Sequence, residues 1–149
     1  MSEHKAKVQW KRNTPDYVYE TYDRTHTVTY EGGIQCKASA AKEFAGKAEL
    51  VNPEEMLAGA LASCHMLTFL AVAAKSRLTV DSYEDEAVAT LDKNAAGKMA
   101  VTKILLRPRV TFGGEKPTPE KIKDLHEKAH KNCFIANSVA CSVVFEPRN

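Results

Sequence analysis

Residues 52–75 read NPEEMLAGALASCHMLTFLAVAAK, and this stretch decides what kind of fold the chain can adopt. Asn52 is a good N-cap, Pro53 suits the first helical position, and Glu55 stands where its carboxylate can reach back to the cap. A helix is therefore predicted to start here. From Met56 to Ala74, nineteen positions carry no formal charge. That length could span a bilayer. Ser63, His65 and Thr68 interrupt the run, however, and no second span or flanking anchor accompanies it, so a membrane helix is not expected. A soluble helix that is apolar on nearly every side must be covered on every side. One small domain can hardly do that alone, and a second copy of the chain is the expected cover.

On the N-terminal side, AKVQWKR (6–12), DYVYETY (16–22) and HTVTYEGGIQCKAS (26–39) place apolar or aromatic residues at every second position. That alternation predicts antiparallel strands, with Glu31-Gly32-Gly33 as a turn. Ile34, Cys36 and Ala38 share one face, read as the core face, and 40–51 reads as a loop. On the C-terminal side, 79–91 and 98–112 predict two long strands joined by the polar turn DKNAAGK (92–98). Thr118 then caps a second helix with Pro119 behind it, and Ile122, Leu125, Ala129 and Cys133 repeat at helical spacing. In ACSVVFEP (140–147), Cys141, Val143 and Phe145 fall on the inward face of a last strand. Strands, long helix, two strands, helix, strand is an α+β order, expected to form a single domain over 1–149. There is no βαβ repeat and no dinucleotide fingerprint.

Composition narrows the function classes. The chain has 149 residues, 44% hydrophobic and 27% charged, which suits an ordered globular protein. A net charge of +2, with basic residues scattered among acids, provides no phosphate-tracking stripe, so nucleic acid is not an expected partner. The opening MSEHKAKVQWKRN has no apolar core of a secretory signal, and a cytoplasmic location is expected. In a reducing compartment the four cysteines, 36, 64, 133 and 141, are thiols, ligands or redox residues rather than disulfides. Cys36 and Cys141 read as core residues.

Residues 126–130, HEKAH, spell the HExxH pattern with which zinc proteases place two His on one helical face and a Glu as base. A third ligand is needed, no further His follows His130, and the only acid beyond it, Glu146, lies on a predicted strand. The expectation is therefore no metal. Instead, a half-exposed helix face carries two histidines that flank Leu125 and Ala129.

Cys64 stands twelve residues past the cap, too deep for the helix dipole to act on it. By its local surroundings alone it is an Ala-sized hydrophobe. To act as a nucleophile it needs a cation from elsewhere, and the N-terminal segment offers Arg12, Arg24 or a lysine.

The run 52–75, followed by SYEDEA (82–87) and AHKNCFIANSV (129–139), closely resembles the OsmC/Ohr family of osmotically inducible and organic hydroperoxide resistance proteins, in its OsmC-like branch. The resemblance extends from about residue 20 to the C-terminus. It implies an intertwined α+β homodimer whose sheets wrap two long central helices, in keeping with the cover that the 52–75 helix requires. It also implies a thiol-dependent peroxidase for alkyl or lipid hydroperoxides, with no bound cofactor. By that likeness Cys64 is the peroxidatic thiol, Cys133 resolves it, Glu54 matches the family Glu, and Arg24 matches the family Arg, with Arg12 the weaker candidate. The implied reductant is a dithiol, with lipoylated protein as the family precedent. Family members commonly carry Pro after the second Cys, whereas here Phe134 follows. Glu54 and Cys64 are ten residues apart, about 15 Å of rise on one helix, so a site using both takes the Glu from the second copy. A non-enzymatic thiol sensor or apolar-ligand carrier on the same fold is the alternative.

Overall fold

The computed structural model describes residues 1–149, which form two compact units, Met1–Met56 and Leu57–Asn149. In the first, strands β1 (Ala6–Gln9), β2 (His26–Tyr30) and β3 (Gln35–Ala38) make an antiparallel sheet in that order. The β2–β3 turn closes through Gly33, whose amide donates to the Tyr30 carbonyl at 2.8 Å and whose φ of 85° is easy only for glycine. Ala38 is buried, as the alternation predicted, but Cys36 is only half-buried rather than a core residue, and Ile34 is 72% exposed. It falls in the turn before β3 begins, where the pleat does not yet set its direction.

The strand expected at 16–22 does not form. Those residues turn, with Thr21 and Tyr22 amides both donating to the Val18 carbonyl. Polar clasps hold the segment instead: Arg12 donates to the Thr14 and Pro15 carbonyls, and the Asp23 carboxylate accepts from Thr25, Asn13 and Lys47. Those bonds, led by Thr25, hold the Asp23 carboxyl well below the usual carboxylate range. The alternating aromatics of 16–22 gather over Trp10, where Tyr17 and Tyr22 lie with ring centroids 5.3–6.2 Å apart. Periodicity here reports a ring cluster rather than a pleat.

Helix α1 (Pro53–Lys75) begins as its sequence specifies. The Glu55 amide donates to Asn52 Oδ1 at 2.9 Å and the Asn52 amide to Glu55 Oε2 at 3.0 Å, a reciprocal capping box. An Asn52→Ala substitution is expected to lower stability by about 1 kcal/mol in urea unfolding, with the slope unchanged. No change in midpoint would show that the box contributes nothing. At the other end, Arg77 at φ 59° turns the chain out of the helix and Leu78 N–H donates to the Ala73 carbonyl.

In the second unit Ala58, Leu61, His65, Phe69 and Ala73 form the buried stripe of α1. The two predicted long strands are each broken in two, giving β4 (Thr79–Asp85), β5 (Val88–Lys93), β6 (Met99–Leu106) and β7 (Pro108–Gly113). β4 pairs with β7 and β5 with β6, both antiparallel, so the hairpin changes sheets midway. The break falls where Pro108 has no N–H for the ladder, and the Arg107 amide donates to the Asp85 carboxylate instead. The 92–98 turn is as predicted: Asn94 Oδ1 accepts from the Ala96 and Lys98 amides, and Gly97 takes φ 73°.

Helix α2 (Pro119–Asn132) is capped by Thr118, whose hydroxyl accepts from the Lys121 amide at 3.2 Å. Strand β8 (Ser142–Phe145) joins β6 in parallel, a departure from the all-antiparallel expectation. The core has two parts. Phe69, Ala73, Val110, Leu125 and Ala129 form one, and Leu61, Ile104 and Leu106 the other. Cys141, Val143 and Phe145 pack against the second, as their alternation implied.

Candidate active site

Two thiols meet in the second unit. Cys64 is half-buried on α1, on a face turned away from the Leu61–Phe69 stripe. Cys133 ends α2 as its C-cap and is fully buried. Both are free, and Cys64 lies near enough to Cys133 to oppose its ionisation. Burial pushes the Cys133 thiol up to about 11; the Ala136 amide, donating to Sγ at 3.4 Å, opposes the rise, and the neighbouring Cys64 adds to it. Cys133 is therefore a protonated thiol at neutral pH. The backbone around it is held by the Cys133 amide on the His130 carbonyl and the Asn137 amide on the Cys133 carbonyl.

Cys64 lines a groove of about 690 Å³ along the open side of α1, walled by Ala60, Leu67, Ala71 and Val72 and ended by Asn132 and Phe134. Its lining is mostly apolar, so it suits an organic molecule better than a small polar one. Leu67 is 60% exposed and Phe134 80% exposed. Within one chain, then, only one stripe of this apolar helix is covered.

Of the other residues singled out in the sequence, Glu54 is half-buried in the first turn of α1 and Arg24 lies in the first unit. Arg24 donates to the Tyr22 carbonyl at 3.0 Å and the Tyr19 carbonyl at 2.7 Å. Its guanidinium lies 4.0 Å from the Tyr22 ring centroid and 5.0 Å from that of Tyr19, so the cation is held by dipoles and ring faces. Arg12 is spent on its two loop carbonyls.

The HEKAH face differs from expectation. His126 is not half-exposed but wholly buried, wedged against Phe69 with ring centroids 4.4 Å apart and near Phe145 and Tyr83. Its Nδ1 lies 3.1 Å from Nε2 of His65, itself 1% exposed. Glu127 points outward to Lys123 at 3.8 Å. No three His, Cys, Asp or Glu side chains converge as metal ligands. The sequence neighbours of His65 point to no role for it, although its helical spacing with 58, 61, 69 and 73 signals that it turns inward.

Burial lowers both rings from 6.5 to about 4, with charge on His130 acting further on His65 and charge on His65 acting further on His126. The unfolded chain then binds more protons than the folded one between those values, so stability falls as pH drops from about 6.5 toward 4. Each ring contributes a slope of up to about 1.4 kcal/mol per pH unit. Urea midpoints measured from pH 7 to 4 should fall for the wild type and fall less for His65→Leu/His126→Leu. Equal slopes would refute this account.

The fold and sequence are shared with known proteins. The sequence model of the OsmC-like protein family matches residues 44–148. An OsmC-like protein of unknown function from Vibrio cholerae is 47% identical over 99% of both chains and superposes with a TM-score of 0.93. The organic hydroperoxide resistance protein OhrB of Bacillus subtilis shares the fold at 19% identity and TM-score 0.73, over 99% of this chain and 98% of its own. YmaD of Bacillus subtilis, an uncharacterized protein, is 29% identical over 75% of each chain.

Proposed function

The chain belongs to the OsmC-like protein family, and on that premise we propose that it is a thiol-dependent peroxidase that reduces organic hydroperoxides. The observation that supports this reading most directly is the nearness of Cys133 to Cys64, which lines an apolar groove. Structural neighbours named as organic hydroperoxide resistance proteins support the same direction.

In the proposed cycle the Cys64 thiolate attacks one peroxide oxygen, the O–O bond breaks, and the alkoxide leaves and takes a proton to become an alcohol. Cys64 is now a sulfenic acid. The Cys133 sulfur displaces its hydroxyl, which leaves as water with the Cys133 proton, and a Cys64–Cys133 disulfide remains. A dithiol reductant, with a lipoyl group as the family's example, reopens the bond by two exchange steps and is itself oxidised. Arg24 is the proposed cation for the thiolate, oriented by Glu54 of a second copy. That copy also covers the open α1 face around Leu67. A cytoplasmic, reducing location fits four free cysteines.

Steady-state consumption of cumene hydroperoxide with dihydrolipoamide tests the reading. Sustained turnover supports it; a single equivalent consumed and no more supports a thiol sensor. The sensor reading has its own observation: a Cys133 thiol raised to about 11 is slow to resolve a sulfenic acid.

A further inference from the structure

Between α1 and α2 lies a polar pair that apolar packing does not require. The His65 and His126 rings are within 7° of parallel, with centroids 5.4 Å apart and nitrogens 3.1 Å apart. That centroid distance is the nitrogen separation extended by both ring radii. The rings therefore meet edge to edge in one plane, the N–H of one aimed at the lone pair of the other. Two lone pairs converging on a shared metal would bring the centroids closer.

A single proton serves this contact, and the outer nitrogens, His65 Nδ1 and His126 Nε2, have no partner. Each buried orphan of this kind carries an uncompensated desolvation cost, which apolar residues of similar shape would avoid. What the imidazoles supply and apolar residues do not is direction. Dispersion contacts let packed helices slide and rotate by fractions of an ångström, whereas an in-plane N–H···N bond is lost by the same movement. This is the one side-chain hydrogen bond joining α1 to α2.

Its location gives that direction a use. His65 follows Cys64 on α1, and His126 stands seven residues, two helical turns, before Cys133 on α2. A disulfide demands a narrow range of Cα separation and dihedral, narrower than the freedom of two packed helices. Resting on the reading of Cys64 and Cys133 as the reacting pair, we propose that His65 and His126 are positioning residues whose hydrogen bond sets the register of α1 against α2 and so holds the two thiols at disulfide-forming approach. Burial keeps both rings neutral at physiological pH, which leaves one donor and one acceptor in the pair.

The test is a redox titration of the full-length protein against reduced and oxidised glutathione at pH 7.0. Acid trapping, alkylation and peptide mass spectrometry then quantify the Cys64–Cys133 disulfide. His65→Leu/His126→Leu removes the bond and both orphaned nitrogens, and its urea midpoint should match or exceed that of the wild type. Its effective thiol concentration should fall by about tenfold or more, since small misplacements of reacting groups have effects of that order. His65→Gln/His126→Asn places amide groups where Nε2 and Nδ1 stood and should restore the wild-type value to within about threefold. A Leu/Leu protein with wild-type effective concentration overturns the proposal. So does a folded Gln/Asn protein that behaves like Leu/Leu, or a wild type that forms no Cys64–Cys133 disulfide. No peroxide is used, so a wild type that titrates as expected but turns over no hydroperoxide refutes the peroxidase reading and leaves the positioning pair standing.

Discussion

Cys64→Ser is expected to reduce hydroperoxide turnover by about 1,000-fold or more, to the background of the assay. The thiolate is the only group in the proposed cycle that breaks the O–O bond, and a serine hydroxyl is neither ionised at neutral pH nor comparably nucleophilic toward peroxide oxygen. The change exchanges one sulfur for a smaller oxygen at a half-buried position and leaves the buried stripe of α1 untouched, so the fold should persist. Cys133→Ser separates the two thiols. It should leave the first oxidation intact, because Cys133 acts only on the sulfenic acid, while turnover falls and the sulfenic acid accumulates where dimedone can trap it. Full turnover in Cys64→Ser would assign the chemistry to another thiol, and the groove beside Cys64 would then need a different explanation.

Phe69→Ala is expected to lower stability by about 3–5 kcal/mol. Phe69 is fully buried at the centre of one core cluster, with its ring against Tyr83 at 5.6 Å, Phe112 at 6.5 Å and His126 at 4.4 Å between centroids. Truncation removes the largest side chain of the α1 stripe at a point where helix, sheet and α2 meet, so collapse into the space requires several elements to move together. Against a total of about 5–15 kcal/mol for an ordinary domain, the loss could unfold half the protein at moderate urea. Urea midpoints at one fixed protein concentration measure it, since association would shift both proteins by mass action. A loss below about 1.5 kcal/mol would mean that the cluster repacks freely. The α1–α2 contact through His126 would then be softer than a positioning role demands.

Much of the scaffold could be read from short-range chemistry. Asn52 with Glu55, Thr118 with Pro119, and Asn94 with Gly97 each act within five residues. Their outcome depends on the local chain alone, and each predicted boundary or turn is found in the structure. The misreadings share the opposite property. Residues 16–22 alternate like a strand but have no partner strand, because Arg12 and Asp23 spend their hydrogen bonds on loop backbone and neighbouring side chains. The long hairpin breaks at Pro108, whose missing N–H is legible in the sequence, but that the two halves then pair in different sheets is not.

The site divides along the same line. A capped, uninterrupted apolar helix with a cysteine in its middle, and a second amphipathic helix ending in another, are properties of the amino-acid sequence. Helical period and caps are local, and the resemblance to the OsmC/Ohr family followed from those same residues. Whether the two thiols meet was decided only in three dimensions, as was the fate of HEKAH. His126 is 61 residues from His65, and whether a histidine on an amphipathic helix faces water or a second imidazole depends on what packs against that helix. Burial, and with it the protonation of Cys133, His65 and His126, belongs to the assembled fold, because the low dielectric that shifts a proton is made by residues distant in the chain.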